Sequence, residues 1–130
     1  MQLLFKRSGR FPARLLVTET LFEIRSSRLA DALVVEVVGE VDMATAPKLG
    51  QAINSVLSGT SRVVVDLSSV TFLDSTALNA LVQCQRELAE REIVFAVVSP
   101  KDRVVRSVFK ITHLTESLRV ADSLDAALAS

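Results

Sequence analysis

Short apolar runs alternate with amphipathic stretches along this chain, and this alternation constrains the fold more than any other feature. Residues 33–38, 63–67 and 93–98 are rich in β-branched side chains and almost continuously apolar, as strands covered on both faces are. Between them, apolar residues recur every three or four positions, which is the period of a helix that buries one face. Strands that alternate with helices predict an α/β fold with a mostly parallel sheet.

The segments at either end of this alternation add strands of a different kind. Residues 22–26 alternate apolar with polar side chains and are expected to form a hairpin with residues 33–38 across a turn at 28–32. A short edge strand is expected at 118–120. The sequence therefore predicts a mixed sheet of four to five strands covered by about four α-helices.

Capping residues and helical spacing locate the four helices. Thr45 and Pro47 are expected to begin the first, whose apolar positions continue until Gly59. After a connection at 68–73, the second opens with Asp74, Ser75 and Thr76. The third is expected over 104–111, and Ser123 is the predicted N-cap of the last. In the second helix the predicted inner face is Ala77, Leu78, Leu81, Cys84, Gln85 and Leu88, and the outer face is Asn79, Gln83, Arg86, Glu87 and Glu90.

Charge and cysteine content exclude several classes of function. Lys plus Arg number 15 and Asp plus Glu number 15, so the basic excess by which nucleic-acid-binding proteins neutralise phosphates is absent. With one cysteine, Cys84, the chain can form neither an intramolecular disulfide nor a multi-cysteine metal site. Its four glycines are scattered and form no phosphate-binding loop. We expect no cofactor, no metal and no nucleic-acid partner.

The N-terminal residues read differently from the rest of the chain. Residues 1–18 contain Lys6, Arg7, Arg10 and Arg14 and show no sustained period, so we interpret them as a flexible leader to a domain at 19–130. They lack the layout of a signal peptide. The longest apolar run, 93–98, is far shorter than the roughly 20 residues needed to cross a bilayer. We expect a cytoplasmic protein without stable membrane insertion.

The most informative segment is residues 63–78, VVVDLSSVTFLDSTAL, in which an apolar strand leads through a loop to Asp-Ser-Thr at a helix start. It closely resembles the signature of STAS-domain anti-sigma factor antagonists, in which a buried strand leads to Asp-Ser-Ser/Thr-Gly. Three further features follow in the same order as in that family: the GEVD sequence at residues 39–42, the Ser-Pro at 99–100 that closes a later strand, and residues 114–118, which lead to the last strand. The resemblance extends over about residues 20–128 and implies the STAS fold.

This resemblance implies a protein-binding switch rather than an enzyme. Ser75 matches the serine that a partner kinase phosphorylates, and in the family this kinase is also the anti-sigma factor. The unphosphorylated antagonist binds the kinase and thereby frees the sigma factor, and a serine phosphatase is the expected component that resets the switch. The partner-binding surface implied by the resemblance consists of Asp42, Thr45, Asp74, Ser75, Thr76, Ala77 and Asn79.

The position of Ser75 also suits this role on physical grounds. A hydroxyl at a helix start is exposed, and a phosphate there faces free backbone amides and the positive end of the helix dipole. Phosphorylation adds about 1.5 to 2 negative charges, and burying an unpaired ion in an interface is costly. We therefore expect phosphorylation to weaken partner binding and to leave the fold intact.

Two positions depart from the family pattern. Ala77 stands where the family usually has glycine, and Asn79 occupies another position that is commonly small. Alanine favours a helix more than glycine does, but its methyl group is expected to hinder close approach of a kinase backbone. Binding is then expected to tolerate the change better than phosphorylation does.

A different function on the same fold stays open. The chain could act as the STAS subunit of a membrane transporter or of a stress-sensing complex, with Ser75 lining a protein-docking surface. The companion protein distinguishes the two functions, because a small kinase indicates the antagonist and a permease or ATP-binding subunit indicates the transporter.

Enzymatic interpretations have less support. Asp66 ends a predicted strand as the phosphoacceptor of a response-regulator receiver does, but the acidic pair and the lysine of that fold are missing. His113, the only histidine, is expected in a loop or at a helix end, and Cys84 in the core. An enzyme that uses Asp42, Asp66 or Asp74 would show metal-dependent or substrate-dependent turnover, and we expect none.

Overall fold

The computed structural model describes residues 22–55 and 57–130, so the leader predicted at 1–18 lies outside the described part of the chain. Within that part, five strands form one sheet in the order β1-β2-β3-β4-β5. The first pair is antiparallel and the other three are parallel, which confirms the predicted mixed sheet. The strands are β1 (Phe22–Leu29), β2 (Ala32–Val41), β3 (Arg62–Leu73), β4 (Val94–Val98) and β5 (Val120–Ala121).

Four helices cover this sheet in the described residues, as predicted. They are α1 (Ala46–Asn54), α2 (Ser75–Glu90), α3 (Val104–Ile111) and α4 (Leu124–Ala129). The first three contribute to the main core, whereas α4 packs on a smaller cluster around Val64, Ala96 and Val98. Because side chains alternate across a strand, Val64 faces the side of the sheet opposite to Val63 and Val65. The sheet therefore lies between three helices on one face and one on the other.

The longest helix, α2, has the two faces that its spacing predicts. Its buried side chains are Ala77, Leu78, Leu81, Cys84 and Leu88. Among the predicted inner residues, Gln85 is only half-buried. The five predicted outer residues are exposed.

The connection predicted at 68–73 is wrong, because these residues continue β3 to Leu73. β2 runs on to Val41 and pairs with most of this segment, with two register shifts that each give β3 one extra, unpaired residue. At the first shift, the Asp66 carboxylate accepts hydrogen bonds from the Ser68 backbone N–H at 2.9 Å and from its hydroxyl at 2.6 Å. The polar residues at this β-bulge therefore have the composition of a loop, although they lie within a strand.

Two other boundaries differ from the prediction. α1 ends at Asn54 rather than near Gly59, and the Ser55 hydroxyl donates to the carbonyl of Ala52 at 3.0 Å where the helix ends. The last strand begins at Val120 rather than at 118, because Arg119 has a φ of 51° that interrupts an extended ladder. The predicted N-cap of α4 is confirmed, since the Ser123 hydroxyl accepts from the Ala126 N–H at 3.2 Å.

Candidate functional site

The first turn of α2 presents Ser75 at the surface. Asp74 is the N-cap, with extended backbone angles (φ −100°, ψ −176°), and its carboxylate accepts a hydrogen bond from the Ala77 N–H at 3.0 Å. Ser75 is the first helical residue and is exposed. A carboxylate at this position satisfies one of the amides that a helix start leaves free and is favoured by the helix dipole. The hydroxyl of Ser75 is therefore held at a rigid helix start and stays accessible to a partner.

A second turn, between β2 and α1, is fixed by Asp42 and Thr45. The Asp42 carboxylate accepts from the backbone N–H groups of Ala44 at 3.0 Å and Thr45 at 3.1 Å. In return, the Thr45 hydroxyl accepts from the Asp42 N–H at 2.9 Å and donates to the Glu40 carbonyl at 3.1 Å. This reciprocal network holds the backbone of residues 40–45 in one conformation.

The parallel pairing of β2 and β3 brings these two turns together. Val41 pairs with Leu73 in the ladder, and the Asp74 N–H donates to the Val41 carbonyl at 3.3 Å. The carboxyl ends of parallel strands meet at one edge of a sheet, where binding sites are common. Residues from two distant parts of the sequence thus form one continuous surface.

The structure places most of the sequence-predicted site residues on this surface. Ser75 and Asn79 are exposed, and the half-buried members are Asp42, Thr45, Asp74 and Thr76. Ala77 is the exception, because its side chain is 0% exposed and belongs to the main core. The expectation that its methyl group faces a partner is therefore wrong. The third residue of α2 points toward the sheet, so its side chain packs against the core.

The surface is acidic, and it carries two apolar side chains that sequence reasoning missed. Residues 40–45 and 71–79 include the carboxylates of Glu40, Asp42 and Asp74 but no Lys, Arg or His. In the same segments, Met43 is 75% exposed and Phe72 is 48% exposed. The available signal was the presence of large apolar residues inside otherwise polar stretches next to the Asp-Ser-Thr sequence. Exposed apolar side chains among polar groups are the composition of many protein interfaces.

Other candidate residues do not join this site. Burial raises the pKa of the Cys84 thiol to about 11, as expected for a core cysteine. His113 is exposed just after α3, with a φ of 59°, in the helix-end position predicted for it. Asp66 lies within β3 rather than at its end, and its carboxylate accepts a hydrogen bond from the Ser68 N–H.

Two further observations concern residues 22–55 and 57–130 only. No three side chains of His, Cys, Asp or Glu are arranged there to hold a metal ion. None of the helices in these ranges combines the length and the apolar character that a bilayer span requires.

Comparison with known proteins gives a consistent result. An anti-sigma-B factor antagonist of Listeria monocytogenes is 31% identical over 94 residues, which cover 72% of this chain and 82% of the relative. One of Staphylococcus aureus is 29% identical over 92 residues, or 70% of this chain and 84% of the relative. The crystal structure of an anti-sigma factor antagonist from Mycobacterium paratuberculosis superposes with a TM-score of 0.74 at 34% identity, covering 84% of this chain and 92% of the other.

A family model agrees with these relatives over most of the chain. The model described as the STAS domain matches residues 23–127, from β1 to the middle of α4. This match includes both turns of the site. The chain therefore belongs to the STAS domain family.

Proposed function

We propose that the chain is an anti-sigma factor antagonist whose binding to its partner is controlled by phosphorylation of Ser75. In its unphosphorylated form it binds an anti-sigma factor that is also a serine kinase, and the sigma factor is released. The observation that carries this proposal is the exposed hydroxyl of Ser75 at the start of α2, beside the Asp42–Thr45 turn. Relatives that are named anti-sigma-B factor antagonists support it.

The charges of the site give a physical reason for the switch. A phosphate adds about 1.5 to 2 negative charges to a surface that already carries Glu40, Asp42 and Asp74 and no cation within residues 40–45 and 71–79. Like charges repel one another, and removing an unpaired dianion from water is costly. A loss of about 2.8 kcal/mol in binding free energy already lowers the affinity about 100-fold.

The same phosphate is compatible with the fold. Ser75 is exposed and is the first residue of α2, so its modification displaces no core side chain. The helix dipole favours a negative group at this end by about 0.3 to 1 kcal/mol. Repulsion from the Asp74 carboxylate opposes this gain, so the net effect on stability is small. Phosphorylation therefore changes binding and leaves the domain folded.

The proposal assigns the chain a regulatory role without catalysis of its own. The kinase binds ATP and transfers its γ-phosphoryl group to the Ser75 hydroxyl, which leaves ADP, and a serine phosphatase removes this phosphate by hydrolysis and restores the binding form. Because ATP-dependent transfer and transcription take place in the cytoplasm, the switch operates there. The proposal requires no cofactor bound to the chain itself.

The test begins with phosphorylation. Candidate kinases with the ATPase fold of histidine kinases, encoded by the same organism, are incubated with the chain and ATP, and any phosphate is located by mass spectrometry. We expect a single phosphate on Ser75 and none on the Ser75→Ala variant. A Ser123→Ala variant is the matched control, since Ser123 also lies at a helix start but on α4. Modification of Ser123→Ala at the wild-type rate is expected.

Binding is measured next by calorimetry with the kinase that modifies the chain. Ser75→Asp adds a charge to the acidic surface, whereas Ser123→Asp adds the same charge at the N-cap of α4. We expect at least tenfold weaker binding for the first variant and wild-type binding for the second. The proposal is wrong if Ser75→Asp binds as tightly as the wild type, or if co-purification yields a permease and no kinase.

A further inference from the structure

Large apolar side chains are exposed at only a few places in the described residues. They are Leu29 (47% exposed), Met43 (75%), Phe72 (48%), Val104 (85%) and Ile111 (74%). Single exposed apolar residues are common and need no explanation. Met43 and Phe72 differ from the others because both belong to the two segments that form the Ser75 surface.

Hydrogen bonds to the backbone hold the main chain at both residues in place. Phe72 pairs with Glu40 in the β2–β3 ladder, and the next residue, Leu73, points into the main core. The Phe72 side chain therefore lies on the face of the sheet opposite to α1, α2 and α3. Met43 lies inside the turn that the Asp42 carboxylate fixes through two N–H groups. Phe72 precedes Ser75 by three residues, which limits the separation of their Cα atoms to about 11 Å.

We propose that Met43 and Phe72 are the apolar anchors with which the chain holds its kinase partner, an inference that rests on the proposed function. They would enter apolar pockets of the kinase, while Glu40, Asp42 and Asn79 form the polar border around them. Aromatic residues and methionine are enriched at the centre of protein interfaces, and charged groups are enriched at the border. A backbone that is already fixed has little further conformational freedom to lose on binding, which favours affinity.

The anchors and Ser75 then have separate roles. Met43 and Phe72 supply the affinity with which the kinase captures its substrate, whether or not Ser75 can be modified. Ser75 supplies the charge change that reverses binding. A loss of the anchors is therefore expected to raise the KM of the phosphorylation reaction and to leave kcat unchanged.

The chain offers controls that match each anchor in exposure. Ile111 (74% exposed, at the end of α3) matches Met43, and Leu29 (47% exposed, at the hairpin end of β1) matches Phe72. We compare Met43→Gln with Ile111→Gln, and Phe72→Thr with Leu29→Thr, because threonine is well tolerated in strands. Binding to the kinase is measured by calorimetry with ADP present, and initial rates of Ser75 phosphorylation are measured over a range of substrate concentrations.

Each anchor variant is expected to bind about tenfold more weakly, or about 1.4 kcal/mol, and to raise KM by a similar factor. Both control variants are expected to stay within twofold of the wild type. A variant that is partly unfolded would also raise the apparent KM, because only its folded molecules act as substrate. Its thermal unfolding and the binding stoichiometry from calorimetry measure the folded fraction and distinguish this case from the loss of an anchor.

The outcomes separate the two proposals. If the Met43→Gln/Phe72→Thr double variant binds the kinase as tightly as the wild type does, the assignment of Met43 and Phe72 as anchors is wrong and the proposed function stands. An equal loss in the Ile111→Gln and Leu29→Thr controls would also overturn the assignment. If no candidate kinase binds or modifies the wild type, the proposed function fails and the anchor assignment fails with it.

Discussion

Replacing Ala77 with glycine, the residue usual in the family, tests where this methyl group lies. The side chain is 0% exposed and packs in the main core. Its removal loses one buried methyl group, worth about 0.8 kcal/mol. Glycine in place of alanine in a helix costs up to about 1 kcal/mol in addition. We therefore expect Ala77→Gly to lower the free energy of unfolding by about 1.8 kcal/mol.

Ala89→Gly is the control for the helix contribution. Ala89 also lies in an end turn of α2 but is exposed, so its replacement loses only helix propensity, up to about 1 kcal/mol. Urea unfolding followed by circular dichroism measures both variants. With an m-value of about 1.5 kcal/mol per M, the midpoint falls by about 1.2 M for Ala77→Gly and by at most about 0.7 M for Ala89→Gly.

The result that refutes this reasoning is specific. Equal midpoint shifts for the two variants would show that the Ala77 methyl group contributes no core packing. An Ala77→Gly variant with the wild-type midpoint and faster phosphorylation of Ser75 would place the methyl group on the partner-facing surface instead. We expect the rate of phosphorylation per folded molecule to be unchanged.

Three further predictions concern the cap, the thiol and an ion pair. Asp74→Ala removes the hydrogen bond to the Ala77 N–H and is expected to cost about 1 kcal/mol in urea unfolding; an unchanged midpoint would show that the cap is not needed. Because the pKa of Cys84 is raised to about 11, its thiolate fraction at pH 8 is about 100-fold below that of an ordinary thiol. Modification of Cys84 with a disulfide reagent should therefore be slow in buffer and fast in urea, and equal rates would contradict its burial. The hydrogen bond from Arg106 lowers the pKa of Asp122 below its ordinary value of 3.8. This carboxylate therefore stabilises the fold above pH 3.8 and ceases to do so as the pH falls through its lowered pKa. The difference in Tm between the wild type and Asp122→Asn should be present at about pH 7 and vanish in acid, and a difference independent of pH would argue against the ion pair of Arg106 with Asp122.

Much of the fold follows from local patterns in the sequence. The apolar runs at 63–67 and 93–98 and the helical spacing after Asp74 predict the parallel strands and the helix between them. The caps at Asp74 and Ser123 act within three residues of themselves, so the sequence is sufficient to locate them. For the same reason, the sequence could indicate that Ser75 starts a helix.

The extent of β3 could not be predicted in this way. Residues 68–73 are polar enough to resemble a loop, and they are extended because β2 continues beside them to Val41. Their hydrogen-bonding partners lie about 30 residues earlier in the chain. Residues 63–66 pair with a segment just as distant, but the apolar run at 63–67 marks them as a strand, and residues 68–73 carry no such mark.

The sequence by itself determined the class of fold, the helix capped by Asp74 and the position of Ser75 in its first turn, because each of these depends on near neighbours along the chain. Only the tertiary structure decided which side chains surround that residue. It brought the exposed Met43 and Phe72 to the same edge. The direction of a side chain depends on the pairing of β2 with β3 and on the packing of α2 against the sheet, and these contacts join residues that are far apart in sequence.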